Sequence, residues 1–155
     1  MTHLAEVARR TDEVTTRARA ELVRAVRDAA AAGMTQAEIA TLIGRSQPEV
    51  SRLLRFHGTS PLARKLRTQA AEVRRIVADA GGSRVRVFGS VATGQDHAES
   101  DIDLLFRMGR PLGLLELAKL ERSLAELIGA PVDLIPESAI RPDVRNRILA
   151  EAVPL

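Results

Sequence analysis

Two aspartates near the middle of the chain have the spacing of paired metal ligands. Asp101 and Asp103 lie in the segment Ser100-Asp101-Ile102-Asp103-Leu104, whose alternation of polar and apolar residues predicts the start of a strand. Side chains two residues apart in a strand point from the same face, about 6.6 Å from each other at a rise of ~3.3 Å per residue. Hard cations such as Mg²⁺ prefer carboxylate oxygens as ligands. The pair is therefore a candidate site for divalent cations.

A Gly-Ser pair upstream of these aspartates has the setting of a phosphate-binding loop. A predicted strand ends at Phe88, Gly89 and Ser90 turn the chain, and Gly94 ends the short helix that follows. Amides at the start of a helix bind anions, and a glycine lets a phosphate approach the backbone closely. We therefore predict that Gly89 and Ser90 bind a nucleotide, together with Ser100 beside the aspartates.

A third carboxylate, Asp133, is a candidate to complete the site. In the segment PVDLIP, alternation places Asp133 on the opposite face of a strand from Val132 and Leu134. A triphosphate and a hydroxyl nucleophile are both electron-rich, so their reaction needs cations, often two of them about 3.5–4 Å apart. The three aspartates are thus predicted to be catalytic and to bind Mg²⁺, the third as a ligand or as the general base.

The pattern around these residues predicts a small α/β domain over residues 59–155. Its helix at the start is marked by Ser60 as N-cap and Pro61 in the first turn. Strands are expected at about 83–88, 102–108 and 132–135, and helices at 62–80, 114–127 and 141–152. The order predicts an α/β domain with a mixed sheet, whose strand ends carry the Gly-Ser loop and the aspartates.

Two short helices with matching N-terminal caps predict a helix-turn-helix in residues 1–58. Thr35 with Glu38, and Ser46 with Glu49, both have the spacing of a capping box. The three expected helices run from 4 to 31, from 36 to 43, and from 47 to about 56. The first of them is expected to break near Thr15 and Thr16.

Charge and composition limit the classes of partner. The chain carries a net charge of +3, divided as +5 over residues 1–80 and −2 over residues 81–155, so the N-terminal part gains more from phosphates. Aromatic residues make up 2%, with no Trp or Tyr, which favours duplex DNA over single strands that stack on aromatic side chains. The absence of cysteine and of a long apolar run leads us to expect a soluble cytoplasmic protein without a membrane segment.

Residues 62–155 resemble the minimal nucleotidyltransferases of the DNA polymerase beta superfamily. The resemblance rests on VFGSVATGQDHAESDIDLLF and on the closing segment from Val132. It implies that Gly89 and Ser90 bind the triphosphate of ATP, while Asp101 and Asp103 hold Mg²⁺ and the later aspartate serves as third acid. Relatives often carry an arginine before the glycine that ends the short helix, where this chain has Val-Ala-Thr. The strand arginines 84, 86 and 107 are the candidates to replace it.

The segment GMTQAEIATLIGRSQPEVSRLLR resembles the helix-turn-helix of the Cro/repressor type. This resemblance implies that Gln36 meets a phosphate, while Gln47, Pro48 and Arg52 face the major groove. Arg45 and Arg55 would add contacts to the DNA backbone. A two-fold homodimer is the default arrangement for such a DNA-binding domain, and the first helix is the candidate for the dimer interface.

The two resemblances together imply a mixed α+β protein, with an all-α DNA-binding domain followed by a nucleotidyltransferase palm. The expected function is Mg²⁺-dependent transfer of AMP from ATP onto a hydroxyl of a cognate toxin protein, by an antitoxin that also represses its own operator. Two alternatives remain open. One is a catalytically idle DNA-binding antitoxin or transcriptional repressor, and the other is a nucleotidyltransferase acting on a small molecule such as an antibiotic.

Overall fold

The computed structural model describes residues 2–155, which form two compact units that divide between Leu54 and Arg55. The division falls before the predicted boundary at residue 58, and Phe56 gives the reason. Its N–H donates to the Pro154 carbonyl at 2.7 Å, and its ring belongs to the core of the second unit. The chain therefore enters the second unit before the Gly-Thr-Ser-Pro segment that composition marked as the boundary.

The first unit is a cluster of helices. Its elements are α1 (His3–Ala31), α2 (Gln36–Ile43) and α3 (Gln47–Leu53). All of them contribute to one small apolar core, which contains Val23, Val26, Ile39, Ala40, Val50 and Leu53. The core uses only the C-terminal part of α1.

Both predicted capping boxes are present. The Thr35 hydroxyl accepts from the Glu38 N–H at 3.2 Å, and the Glu38 carboxylate accepts from the Thr35 N–H at 2.8 Å. Ser46 and Glu49 make the same reciprocal pair at 3.3 and 3.2 Å. These bonds satisfy amides that have no partner within the helix. The predicted bounds of α2 are thereby confirmed, whereas α3 ends at Leu53 rather than near residue 56.

Helix α1 continues without a break through Thr15 and Thr16. Threonine lowers helix propensity by only a fraction of a kcal/mol, about 0.7 or less, which is too little to interrupt a long helix. All residues from 2 to 21 are exposed, including the apolar Leu4, Val7 and Val14. An apolar stripe at three- and four-residue steps thus faces solvent along the first half of α1.

The second unit contains a four-stranded mixed sheet with helices on both faces. Its elements are α4 (Pro61–Thr68), α5 (Ala70–Asp79), β1 (Gly82–Phe88), α6 (Gly89–Thr93), β2 (Ile102–Met108), α7 (Leu114–Ile128), β3 (Val132–Pro136), a 3₁₀ turn (Glu137–Ala139), α8 (Pro142–Glu151) and β4 (Val153–Pro154). The strand order is β3-β2-β1-β4. β1 runs antiparallel to β2 and β4, and β2 runs parallel to β3. The predicted α+β fold with a mixed sheet is confirmed.

Strand β2 shows how the sheet separates its core from its site. Ile102, Leu104 and Phe106 are fully buried in the cluster formed with α4, α5 and α7. Leu105 belongs to a second apolar cluster, which it forms with Ile148 of α8 and other residues. Because alternate residues of a strand point to opposite faces, Asp103 lies on the α8 side of the sheet.

Two predictions for this unit were wrong in detail. The helix expected over residues 62–80 is two helices, because Gln69 leaves the helical region (φ −101°, ψ 7°) and serves as both C-cap of α4 and N-cap of α5. Strand β4 was not predicted. Its two residues are held by pairing with Arg86 and Val87 of β1, a contact that local sequence does not signal.

None of the helices in residues 2–155 combines the length and hydropathy of a membrane-spanning segment.

Candidate active site

Two of the three predicted aspartates lie on adjacent strands, and the third lies just before one of these strands. Asp103 is in β2, with Phe88 of β1 opposite on one side and Asp133 of β3 opposite on the other. Neighbouring strands are about 4.8 Å apart, so Asp103 and Asp133 are in direct register at that spacing. Asp101 immediately precedes β2. The fold thus brings these carboxylates together at the start of β2, although a strand and a helix separate Asp103 from Asp133 in the sequence.

The backbone at Gly89 lies against the carboxylate of Asp103. Gly89 has a φ of +72°, in the left-handed region that side chains disfavour. A Cβ at this position would overlap with Asp103 Oδ2 and would come within 3.1 Å of its Cγ. Glycine is therefore required twice, for the turn and for the close approach. The Gly-Ser loop and the aspartates belong to one site.

The turn that follows β1 is held by its own short helix. Val91 of α6 is 1% exposed and anchors the helix in the core. The Thr93 hydroxyl lies 3.2 Å from the Gly89 carbonyl and 3.3 Å from the Ser90 carbonyl, and donates to them. Gly94 then ends α6 in the left-handed conformation. This bracing fixes the backbone of the loop while Ser90 stays half-buried at its tip.

Ser100 closes a turn that leads into the first aspartate. Its hydroxyl oxygen accepts from the His97 N–H at 2.9 Å, and its own N–H donates to the His97 carbonyl at 3.0 Å. Ser100 therefore sets the direction of the chain at Asp101. Its hydroxyl proton stays available for a ligand, in line with the predicted role in nucleotide binding, which stays a prediction.

Mutual repulsion and partial burial change the acidity of two of the aspartates. Burial, and then the charges of Asp133 and Asp101, raise the pKa of Asp103 to about 6. Burial also raises the pKa of Asp133, with further contributions from Asp101 and Glu121. Carboxylates placed this close together favour a proton or a cation between them. A positive charge bound at the site would therefore lower the electrostatic repulsion among these carboxylates.

The donor set fits Mg²⁺ bound together with a nucleotide. Within residues 2–155, no three or more His, Asp or Glu side chains lie together closely enough to hold a metal ion by themselves. Mg²⁺ does not require such a group, since it keeps several waters and is usually held by one or two carboxylates plus substrate phosphates. Asp101, Asp103 and Asp133 are the residues that would hold it.

Asp103→Asn is expected to stabilise the metal-free protein. A carboxyl whose folded pKa is raised penalises the folded state once it ionises, so the penalty is absent below about pH 4, grows up to the folded pKa of about 6, and is complete above it. The variant should therefore unfold several degrees higher than the wild type at pH 7.5 in chelator, and the difference should vanish near pH 4. Asp79→Asn, at an exposed ion pair with Arg75, is the control. Equal melting temperatures at pH 7.5 would contradict the expectation.

Two of the three strand arginines considered as replacements for a phosphate-binding arginine are engaged elsewhere. Arg86 and Arg107 contact the Glu137 carboxylate at 3.2 and 3.3 Å. Although burial tends to raise the pKa of Glu137, the two guanidinium groups hold it below its usual range. Arg84 lies exposed at an irregularity of β1, with a φ of 52°. Arg86 and Arg107 therefore hold the 3₁₀ turn against the sheet.

Glu121 is a residue of this site that the sequence did not single out. It is half-buried on α7 and accepts from the N–H of Leu134, next to Asp133. Its neighbours in sequence read as an ordinary amphipathic helix. The half-burial of Glu121 becomes apparent only from the packing of α7 against the sheet.

Five of the predicted DNA-contacting residues belong to the first unit, whereas Arg55 is the first residue of the second. Arg45, Gln47, Pro48 and Arg52 are exposed around the turn between α2 and α3 and along α3, and Gln36 is half-buried at the start of α2. The Arg52 Nε donates to the Pro48 carbonyl at 3.4 Å. Gly44, in the left-handed conformation, makes the turn that brings the two helices together.

A small α+β palm with a glycine turn against paired aspartates defines a nucleotidyltransferase. The nucleotidyltransferase domain family matches residues 66–155, and the chain belongs to this family. Two archaeal relatives agree with the enzyme class. A candidate protein adenylyltransferase of Methanocaldococcus jannaschii is 40% identical over 73 residues, which are 47% of this chain and 78% of the relative. The protein adenylyltransferase MntA of Thermococcus cleftensis is 33% identical over 73 residues, 47% of this chain and 74% of the relative.

Solved structures share the same fold. A minimal nucleotidyltransferase superposes with a TM-score of 0.54 at 40% identity, covering 59% of this chain and 94% of that one. A toxin–antitoxin complex with AMP-PNP gives a TM-score of 0.50 at 20% identity, covering 54% of this chain and 69% of that one. The second likeness is one of fold alone.

Proposed function

We propose that the second unit transfers AMP from ATP onto a hydroxyl of a partner protein, with Mg²⁺ as cofactor. The observation that carries the proposal is the contact between the Gly89 backbone and Asp103, which joins the phosphate loop and the acids in one site. The adenylyl group and the protein acceptor are supported by the names of the relatives, which are protein adenylyltransferases.

The residues have separable roles in this proposal. The turn at Gly89 and Ser90 presents backbone and hydroxyl groups to the triphosphate. Asp101 and Asp103 hold Mg²⁺, which supplies charge neutralisation and acidifies the attacking hydroxyl. Asp133, in register with Asp103, completes the set of acids and can accept the proton of the incoming hydroxyl.

We further propose that the acceptor is a toxin encoded beside this gene. The toxin–antitoxin complex that shares this fold supports the choice.

Labelled ATP tests the reaction itself. The full chain is incubated with Mg²⁺, the product of the neighbouring gene, and ATP labelled on either the α- or the γ-phosphate. Label from the α-phosphate should enter the acceptor, while label from the γ-phosphate should leave as pyrophosphate. Incorporation of the γ-label would identify a kinase and contradict the proposal, and so would transfer that persists in excess chelator.

We also propose that the first unit binds operator DNA as a homodimer. The exposed Arg45, Gln47 and Arg52 offer the side chains that contact phosphates and base edges in a helix-turn-helix. Glu49 does not oppose this role, because its carboxylate is engaged in the cap of α3. The exposed stripe on α1 supports pairing of two chains, since pairing would cover its apolar side chains.

Arg52→Ala is expected to weaken binding to the upstream DNA by about tenfold or more, as for a lost base contact worth 1–3 kcal/mol. Wild-type affinity should fall steeply as salt rises, because each phosphate contact releases counterions. Fluorescence anisotropy measures both effects. The titration should also show that two protein chains bind each DNA site. Arg122→Ala is the matched control, because it removes the same charge at an exposed ion pair of α7. Affinity that is unchanged by Arg52→Ala and by salt would argue against operator recognition.

A catalytically idle palm is the second candidate function. The observation in its favour is that Arg86 and Arg107 are both engaged by Glu137. Neither guanidinium group is therefore free to replace the arginine that relatives often carry next to the loop. In that case the protein would act as a DNA-binding repressor or antitoxin by occlusion, and it would not bind Mg²⁺-ATP.

A further inference from the structure

Glu121 secures the edge of the sheet at the residue that follows Asp133. Its Oε2 accepts from the N–H of Leu134 at 2.9 Å in a part-buried position. Strand β3 is at the end of the sheet and pairs only with β2, so this N–H points to the open edge. An edge amide without a strand partner is normally left to water. Here a carboxylate from α7 takes the place of the missing strand.

Helix α7 provides a fixed base for this carboxylate. Leu120 and Leu124 on either side of Glu121 are 7% and 0% exposed in the main core. The other glutamates of the helix behave differently, since Glu116 and Glu126 form exposed ion pairs with Arg110 and Arg122. Glu121 is thus set apart by its bond to the strand amide.

We propose that Glu121 is a positioning residue for Asp133. A charge-assisted bond to the amide of Leu134 restrains the backbone on the C-terminal side of Asp133. Pairing with β2 restrains the same strand from the inner edge, where Asp133 is opposite Asp103. The strand that carries the third acid is therefore restrained along both of its edges. The inference rests on the proposed function, in which Asp133 is that acid.

The test compares four full-length proteins: the wild type, Glu121→Ala, Glu121→Gln, and Glu126→Ala as the matched control on the same helix. Amide hydrogen exchange at Leu134, followed by NMR, reports on the bond itself. Titration with Mg²⁺-ATP reports on the site. Glu121→Ala should speed exchange at Leu134 by about tenfold or more, the equivalent of one lost hydrogen bond to a charged group of ~1.5 kcal/mol. It should also weaken Mg²⁺-ATP binding by about five- to tenfold, whereas Glu121→Gln, which keeps an acceptor oxygen, should recover most of both effects.

The outcomes separate this inference from the function on which it rests. Faster exchange at Leu134 with unchanged Mg²⁺-ATP affinity would make Glu121 a structural cap only and would overturn the inference alone. An equal loss of affinity in Glu126→Ala would also overturn it, because the effect would then be general to α7. A wild-type protein that does not bind Mg²⁺-ATP would contradict both the inference and the proposed function.

Discussion

Replacement of both Asp101 and Asp103 by asparagine is expected to lower nucleotidyl transfer by at least about 10³-fold. Metal and charge contacts at a phosphoryl centre stabilise the transition state by several kcal/mol, and removal of two carboxylates also removes the ligands that we propose for the cation. Asparagine keeps the size of each side chain, so the sheet should remain intact. The measurement is the rate of α-label transfer from ATP under conditions in which the wild type is active.

Folding and catalysis should respond in opposite directions in this double variant. The raised pKa of Asp103 means that its ionised form is unfavourable in the folded metal-free protein, so loss of the charge should leave thermal stability equal or higher. Asp79→Asn controls for the loss of an aspartate elsewhere, in an exposed ion pair of α5. Transfer within a few-fold of the wild type would rule out these aspartates as the metal site.

Gly89→Ala is expected to lower transfer by about 10²-fold, the size of effect that a displacement of ~1 Å at a reacting centre produces. The added Cβ would overlap with Asp103 Oδ2, so either the phosphate loop or the carboxylate has to move. Mg²⁺-ATP affinity should fall together with the rate, and calorimetry can follow it.

Gly94→Ala separates backbone strain from the contact with Asp103. Gly94 has a φ of +76°, close to the +72° of Gly89, but a Cβ there would meet nothing within 4 Å. Both variants should therefore lose about 1–2 kcal/mol of stability from the left-handed conformation. Only Gly89→Ala should lose nucleotide binding as well. Similar affinities in the two variants would show that the approach of the loop to Asp103 has no functional role.

Elements with strong local signals were predictable from the sequence. Thr35 and Glu38 mark the start of α2 because the capping box depends only on residues three apart, and the bonds are present as expected. Strand β2 follows its polar and apolar alternation from Ile102 to Met108. The proximity of the glycine turn to Asp103 could also be predicted in this way, since both residues lie within one segment.

Features that depend on distant contacts were not predictable. Phe56 was expected in a helix of the first unit, but its ring and its N–H are taken by the core and the last strand of the second. The break at Gln69 carries no Gly or Pro signal. Glu121 gains its role only from the strand edge that packs beside it. In each case the deciding partner is far away in sequence or is not a residue type that marks a boundary.

Calorimetric titration of the full chain with Mg²⁺-ATP tests the central claim most directly, because it needs no acceptor. The account predicts saturable binding by the wild type, loss of most of that binding when chelator is in excess, and loss of it in the protein that carries Asp101→Asn and Asp103→Asn. The absence of binding to the wild type would favour the idle palm. Equal binding by the wild type and the double variant would contradict the assignment of the site.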